Sequence, residues 1–107
     1  MKDFDYSAPT ALSDAVSLLA EQNGSAKILA GGTDIIVQLR EGLRDADLVV
    51  DIKKIPELTA WTLHDGTLSL GAATPCYQLH ENPSIREKFG ALTDAAKIIG
   101  GWQIQSR

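Results

Sequence analysis

Lys27-Ile28-Leu29-Ala30-Gly31-Gly32-Thr33-Asp34 is the stretch on which the fold turns. Its first four residues read as a buried strand and its paired glycines as a tight turn. Asp34 then opens a short helix through Ile35, Ile36 and Leu39 to Gly42. Upstream, Phe4 and Tyr6 alternate with polar neighbours over residues 3–7, the period of a strand. Pro9 and Thr10 open a helix: Thr10 is suited to cap free N–H groups, and Leu12, Ala15, Val16 and Leu19 fall at helical spacing. Asn23-Gly24 ends it, with Gly24 suited to a left-handed C-terminal position. Downstream, Leu48-Val49-Val50-Asp51-Ile52 is a third strand, stopped by Pro56. The first half is therefore β-α-β-α-β, an order that favours parallel pairing with right-handed crossovers.

The second half changes rhythm. Segments Leu58 to Leu63 and Thr67 to Leu70 flank His64-Asp65-Gly66, and Asp-Gly between apolar alternations signals a hairpin. A turn at Gly71 to Pro75 leads into a short helix near Cys76–His80, and Asn82-Pro83 breaks the chain. Helices follow over Ile85–Phe89 and Leu92–Ile99, the latter with an apolar stripe of Leu92, Ala95, Ala96 and Ile99. The fold class is α+β: a βαβαβ lobe with a small parallel sheet, then a second α+β lobe.

Composition excludes several classes of function. The 107 residues are 44% hydrophobic and 22% charged, a balance that suits one small globular unit and argues against disorder. No run approaches the roughly 18 apolar residues of a membrane span. The first five residues lack the apolar core of a secretion signal. A net charge of −4 argues against a basic nucleic-acid face. Residues 1–51 carry four Lys/Arg against nine Asp/Glu, and residues 52–107 six against five, a break consistent with two structural units and also with ordinary surface variation. Cys76 is alone, so no internal disulfide and no thiolate-built Fe–S or zinc site is available, and a cytoplasmic setting is expected.

Candidate chemistry concentrates at Leu29 to Asp34. Free N–H groups at a helix start favour anions, and adjacent glycines let a phosphate approach the backbone. Thr33 adds a hydroxyl, and Asp34 suits a helix cap or a bond to a ligand donor. The pattern is neither the spaced-glycine dinucleotide fingerprint nor a Walker A loop. Gly-Gly turns of this kind also serve merely to join a strand to a helix, and the residues alone leave both readings open. His64 and His80 read as solvated surface residues without metal spacing. Cys76 reads as a structural thiol, and Trp61 and Trp102 as packing residues. No Ser/His/Asp nucleophile signature is present.

The whole pattern adds to this. Phe4-Asp5-Tyr6…Pro9, Ile28 to Asp34, Leu48 to Ile52, Ile55-Pro56-Glu57-Leu58, Leu70-Gly71-Ala72 and Ile98-Ile99-Gly100…Gln103-Ile104 occur in that order. In this the chain resembles the FAD-binding PCMH-type domain of molybdopterin dehydrogenases: the medium subunit of carbon monoxide dehydrogenase and the flavin subunit of xanthine dehydrogenase-type enzymes. The resemblance covers essentially all 107 residues.

The resemblance implies that residues Lys27, Ile28, Leu29, Ala30, Gly31, Gly32, Thr33 and Asp34 line the FAD pyrophosphate, and that Ile99 makes an apolar contact with the flavin. No catalytic residue and no metal ligand is implied in this chain. It implies a flavin-dependent oxidoreductase subunit that passes electrons from Fe–S clusters through FAD to an acceptor such as NAD or a quinone. The implied partners are a molybdopterin-binding large subunit and a 2Fe-2S small subunit. Two departures stand out. Gln105-Ser106 occupy the place of an Arg-Asn pair, and no Thr-Ile-Gly-Gly-Asn segment follows. The expectation is an N-terminal fragment, inactive alone, with residues 1–51 as a first lobe and 52–107 as an incomplete second one. The rival expectation is a non-catalytic interaction module that keeps the fold without the flavin.

Overall fold

The computed structural model describes residues 1–107, which divide into two compact units, Met1–Glu57 and Leu58–Arg107. No helix is long and apolar enough to cross a membrane.

The first unit holds β1 (Asp5–Ser7), α1 (Leu12–Glu21), β2 (Ala26–Leu29), α2 (Ile35–Arg40) and β3 (Leu48–Asp51). The strands form one parallel sheet in the order β1-β3-β2. The late strand β3 is central, and all four of its residues are buried. A parallel strand covered on both faces needs such an unbroken apolar run, which Leu48-Val49-Val50 supplies. Val49 meets Leu39 of α2 and Ala46, with Phe4, Leu29 and Ile35 packed around them. Val50 points to the opposite face, as alternation requires. Each of these two valines is essentially without exposed surface, worth about 1.5–3 kcal/mol of burial.

The structure departs from two local expectations. Helix α1 starts one residue later than Thr10 would set it: Ala11 is the N-cap, and no side chain caps the helix. Strand β2 is not a buried strand. It lies at a sheet edge with a neighbour on one side only, and Ile28 stays 51% exposed. The helix ends as its sequence suggests, with Asn23 and Gly24 both in the left-handed region.

Asp51 closes the carboxyl end of this sheet. Tyr6 of β1 pairs in register with Val49, and Asp51 lies two residues further along the same face. The Tyr6 hydroxyl accordingly donates to Asp51 Oδ2 at 2.6 Å. Asp51 Oδ1 accepts from the Lys53 N–H and from Lys53 Nζ, both at 2.9 Å. Burial pushes this carboxyl up, but the Tyr6 hydroxyl and the Lys53 N–H and ammonium together outweigh that and hold it below the ordinary carboxylate value. The same bond to Asp51 raises the Tyr6 hydroxyl.

The second unit holds the last two residues of α3 (Pro56–Thr59), then β4 (Trp61–His64), β5 (Thr67–Leu70), α4 (Cys76–His80), α5 (Pro83–Lys88), α6 (Gly90–Ile98) and α7 (Trp102–Gln105). The expected first arm of the hairpin, from Leu58, begins only at Trp61, because α3 takes the preceding residues. Strands β4 and β5 pair antiparallel, with Asp65 and Gly66 both at positive φ between them, the geometry of a two-residue hairpin turn. Trp61 and Leu68 from the hairpin pack on Leu79, Ile85 and Ala96. Asn82 caps α5 by accepting from the N–H groups of Ser84 at 3.0 Å and Ile85 at 3.1 Å. Pro83 follows at the first helical position, where its missing N–H costs nothing.

The last turn, α7, is tied in by Gln105, only 7% exposed. Its Nε2 donates to the carbonyls of Lys97 (2.8 Å) and Ile99 (3.1 Å), which end α6. Its Oε1 can then only accept, so His80 Nε2, at 2.9 Å, carries the proton and donates. His80 is thus half-buried and committed rather than solvated. Cys76 joins the second core as the expected structural thiol.

Two tests follow from these ties. Gln105→Ala leaves two carbonyls and one imidazole N–H without partners, and is expected to destabilise the second unit by on the order of 3 kcal/mol. His80→Ala removes one of the three bonds and should cost only about 1 kcal/mol. Both tryptophans, Trp61 and Trp102, lie in this unit, so denaturant unfolding followed by tryptophan fluorescence reads it selectively.

Asp51 supplies the buried part of the first unit's acid response, beside the exposed Asp47, which the bond from Lys2 likewise holds below its ordinary value. A carboxyl held below its unfolded value adds stability that is present above about pH 4 and is lost as pH falls through the folded value. Circular-dichroism melts between pH 6 and pH 2 are expected to show that loss for the parent chain. In Asp51→Asn the dependence flattens, at a lower stability throughout.

Candidate functional site

The loop from Ala30 to Asp34 leaves the carboxyl end of β2, the end at which open parallel sheets receive ligands. Its geometry follows from its glycines. Gly32 has φ +82°, and a Cβ there would lie 3.1 Å from Leu29 Cδ1 and 3.3 Å from Ile36 Cγ1. Only glycine takes this backbone without strain while leaving room for the two apolar side chains beneath. The Gly32 carbonyl accepts the Ile36 N–H at 3.2 Å, and the Asp34 carbonyl accepts that of Gln38 at 2.9 Å, so the carbonyls turn into α2. The N–H groups of Gly31, Gly32, Thr33 and Asp34 donate to nothing within the protein. Four neighbouring, uncommitted backbone donors next to glycines form a set suited to anionic oxygens.

A second feature holds the loop. Lys53 Nζ, anchored on Asp51, also donates to the Ala30 carbonyl at 2.7 Å. Tyr6, Asp51, Lys53 and Ala30 thus form one chain of hydrogen bonds across the sheet end, from β1 through β3 to the loop after β2. Sequence reasoning did not single out Lys53 or give Asp51 a function. The available signal was a Lys two residues after a strand-terminal Asp, a spacing too common to stand out.

The expected site residues divide as follows. Ala30, Gly31, Gly32, Thr33 and Asp34 come together in the loop, with Thr33 and Asp34 exposed. Asp34 takes the N-cap position of α2, but its side chain caps nothing and remains free. Leu29 lies beneath Gly32 and joins the first core. Ile28 lies exposed in β2. Lys27 turns the other way: its Nζ donates to the Gly24 carbonyl at 3.0 Å, towards the amino end of β2. Ile99 belongs to the second unit, where it ends α6, its carbonyl held by Gln105. No group of three or more His, Cys, Asp or Glu is placed to hold a metal ion.

The donor set fits the diphosphate of a dinucleotide such as FAD. A cradle that a Cβ would fill and four free N–H groups are what close approach of phosphate oxygens to backbone demands.

Comparison with known proteins gives the family. Residues 2–107 match the family described as the FAD binding domain in molybdopterin dehydrogenase. The FAD subunit of nicotinate dehydrogenase from Eubacterium barkeri is 36% identical over 107 residues, covering 99% of this chain and 36% of that protein. The FAD-binding subunit of xanthine dehydrogenase from Escherichia coli O157:H7 is 42% identical over 108 residues, covering 99% of this chain and 37% of that protein. The structure of carbon monoxide dehydrogenase from Hydrogenophaga pseudoflava lacking the Mo-pyranopterin moiety superposes with a TM-score of 0.93 at 31% identity, over 99% of this chain and 37% of that one. The chain therefore spans a little over a third of the length of these relatives. Parallel sheet, glycine loop and sequence match together place it in the family of FAD-binding domains of molybdopterin dehydrogenases.

Proposed function

We propose that this chain supplies the diphosphate-binding part of the FAD site in a molybdenum hydroxylase-type oxidoreductase. The observation that carries the reading is the row of free N–H groups from Gly31 to Asp34 at the carboxyl end of the parallel sheet. Gly31, Gly32 and Thr33 hold the phosphate oxygens through their N–H groups, and the Thr33 hydroxyl adds a donor. The Asp34 carboxylate, which makes no cap bond, is unsuited by its charge to touch phosphate and is left to accept from a ligand hydroxyl. Ile99 offers an apolar contact to the flavin ring. The flavin, when bound, supplies redox chemistry that passes electrons from Fe–S clusters to an acceptor such as NAD or a quinone. The protein's share is to bind, orient and shield the cofactor. The working assembly adds a molybdopterin-binding large subunit and a 2Fe-2S small subunit, in the cytoplasm.

The rival reading, an interaction module without flavin, drew on Gln105 and Ser106 in place of Arg-Asn. Gln105 has a packing role of its own at the end of α6, which accounts for its identity without loss of the cofactor.

A titration of the 15N-labelled chain with FAD tests the proposal. Saturable shifts at the amides of Gly31 to Asp34 are expected. Gly32→Ala, which puts a Cβ on a left-handed residue at a cost of about 1–2 kcal/mol, should weaken binding roughly tenfold. FAD that moves none of these amides at millimolar concentration would sink the proposal.

A further inference from the structure

A trans peptide is planar, with its C=O and the following N–H on opposite edges. Every peptide in the chain is trans, so the direction of the Ala30 carbonyl dictates that of the Gly31 N–H. The Ala30 carbonyl is taken up by Lys53 Nζ at 2.7 Å, on the side of Asp51. The Gly31 N–H therefore faces away from the sheet end, outward. Glycine gives this peptide no side chain to hold its orientation, and the neighbouring N–H groups are likewise uncommitted. The Lys53 bond is the interaction that fixes it. Lys53 itself is fixed twice, through its own N–H and through Nζ, by an almost fully buried carboxylate.

We infer that Lys53 is a positioning residue for the cofactor: held by Asp51, it locks the Ala30–Gly31 peptide so that the Gly31 N–H points at a phosphate oxygen of the bound dinucleotide. The inference rests on the reading of the loop as the FAD diphosphate site. Lys53 acts through the backbone. Its ammonium is already engaged by Asp51 and Ala30, so its effect is on the aim of a neutral donor rather than through a direct ion pair with the ligand.

The test uses the full 107-residue chain, 15N-labelled, with FAD as the probe. Lys53→Met keeps the stem and removes the ammonium; at a side chain 43% exposed it should fold. Its Gly31 amide is expected to shift and to exchange faster without ligand, and FAD affinity to fall about tenfold, the loss of one charge-assisted bond. Lys53→Arg, which can still bridge Asp51 and Ala30, should recover most of both. Tyr6→Phe removes the other donor to Asp51 while leaving Lys53 in place, and should lower stability without moving the Gly31 amide. A folded Lys53→Met whose Gly31 amide and FAD affinity equal those of the parent overturns the inference and leaves the flavin reading standing. So does Tyr6→Phe if it moves Gly31 as far, since the loop would then be answering to general loosening of the sheet. A parent chain whose Gly31–Asp34 amides ignore FAD overturns the flavin reading and, with it, the cofactor role of Lys53. Lys53→Gln, read in the same way, decides the matter if Lys53→Met does not fold.

Discussion

The carboxylate of Asp51 organises the end of the first unit that matters for binding. It can do so because of where the topology puts it. In the order β1-β3-β2, β3 is the one strand with neighbours on both sides, so a side chain at its carboxyl end is within reach of both edges. Asp51 takes the Tyr6 hydroxyl from one edge directly and reaches the loop beyond the other through Lys53. A buried carboxylate is costly unless its lone pairs are filled, and here three donors fill them. The compensation has a structural consequence. The donors come from β1 and from the turn after β3, and Lys53 Nζ also donates to the Ala30 carbonyl, so satisfying the charge fixes β1, that turn and the glycine loop against one another.

In the second unit a neutral group performs the matching task. Gln105 ends α6 by donating two bonds to its last carbonyls and ties α7 to α4 by accepting from His80. The amide is suited to this because it carries donors and an acceptor on one planar group. An arginine at this position could serve the two carbonyls, but with no acceptor it could not also take the His80 proton. The choice of Gln105 and the placement of His80 are therefore one decision, and a half-buried imidazole becomes a structural donor.

The parts of the fold that rest on local pattern were legible in the sequence. The βαβαβ order, the Asp65-Gly66 hairpin, the Asn82-Pro83 helix start and the glycine loop each carry their signal within a few residues. The parts that depend on long-range placement were not. Ile28 reads as buried because its neighbours are apolar, and it is exposed because the sheet order leaves β2 at an edge. His80 reads as solvated because its partner lies 25 residues away. The Tyr6–Asp51 bond spans 45 residues and the Lys53–Ala30 bond 23, so no window along the chain contains either. The glycine loop could be found from sequence; what holds it could not.

That division bears on how an acidic half-chain accommodates an anion. Residues 1–51 carry nine Asp/Glu and only four Lys/Arg, a poor field for phosphate. The nearby ammonium of Lys53 is already engaged by Asp51, and Lys27 points to the far end of β2. What the loop presents is a set of neutral N–H dipoles. The interaction of a dipole with a charge depends steeply on its direction, whereas an ammonium attracts from any side. A site made of backbone donors therefore gains affinity from orientation, and orientation must be held from outside the loop because glycines hold none of their own. The same hydrogen-bond chain that closes the sheet meets that need. The stability of the first unit and the aim of its binding loop are thus properties of one set of contacts, and a substitution within that set changes both.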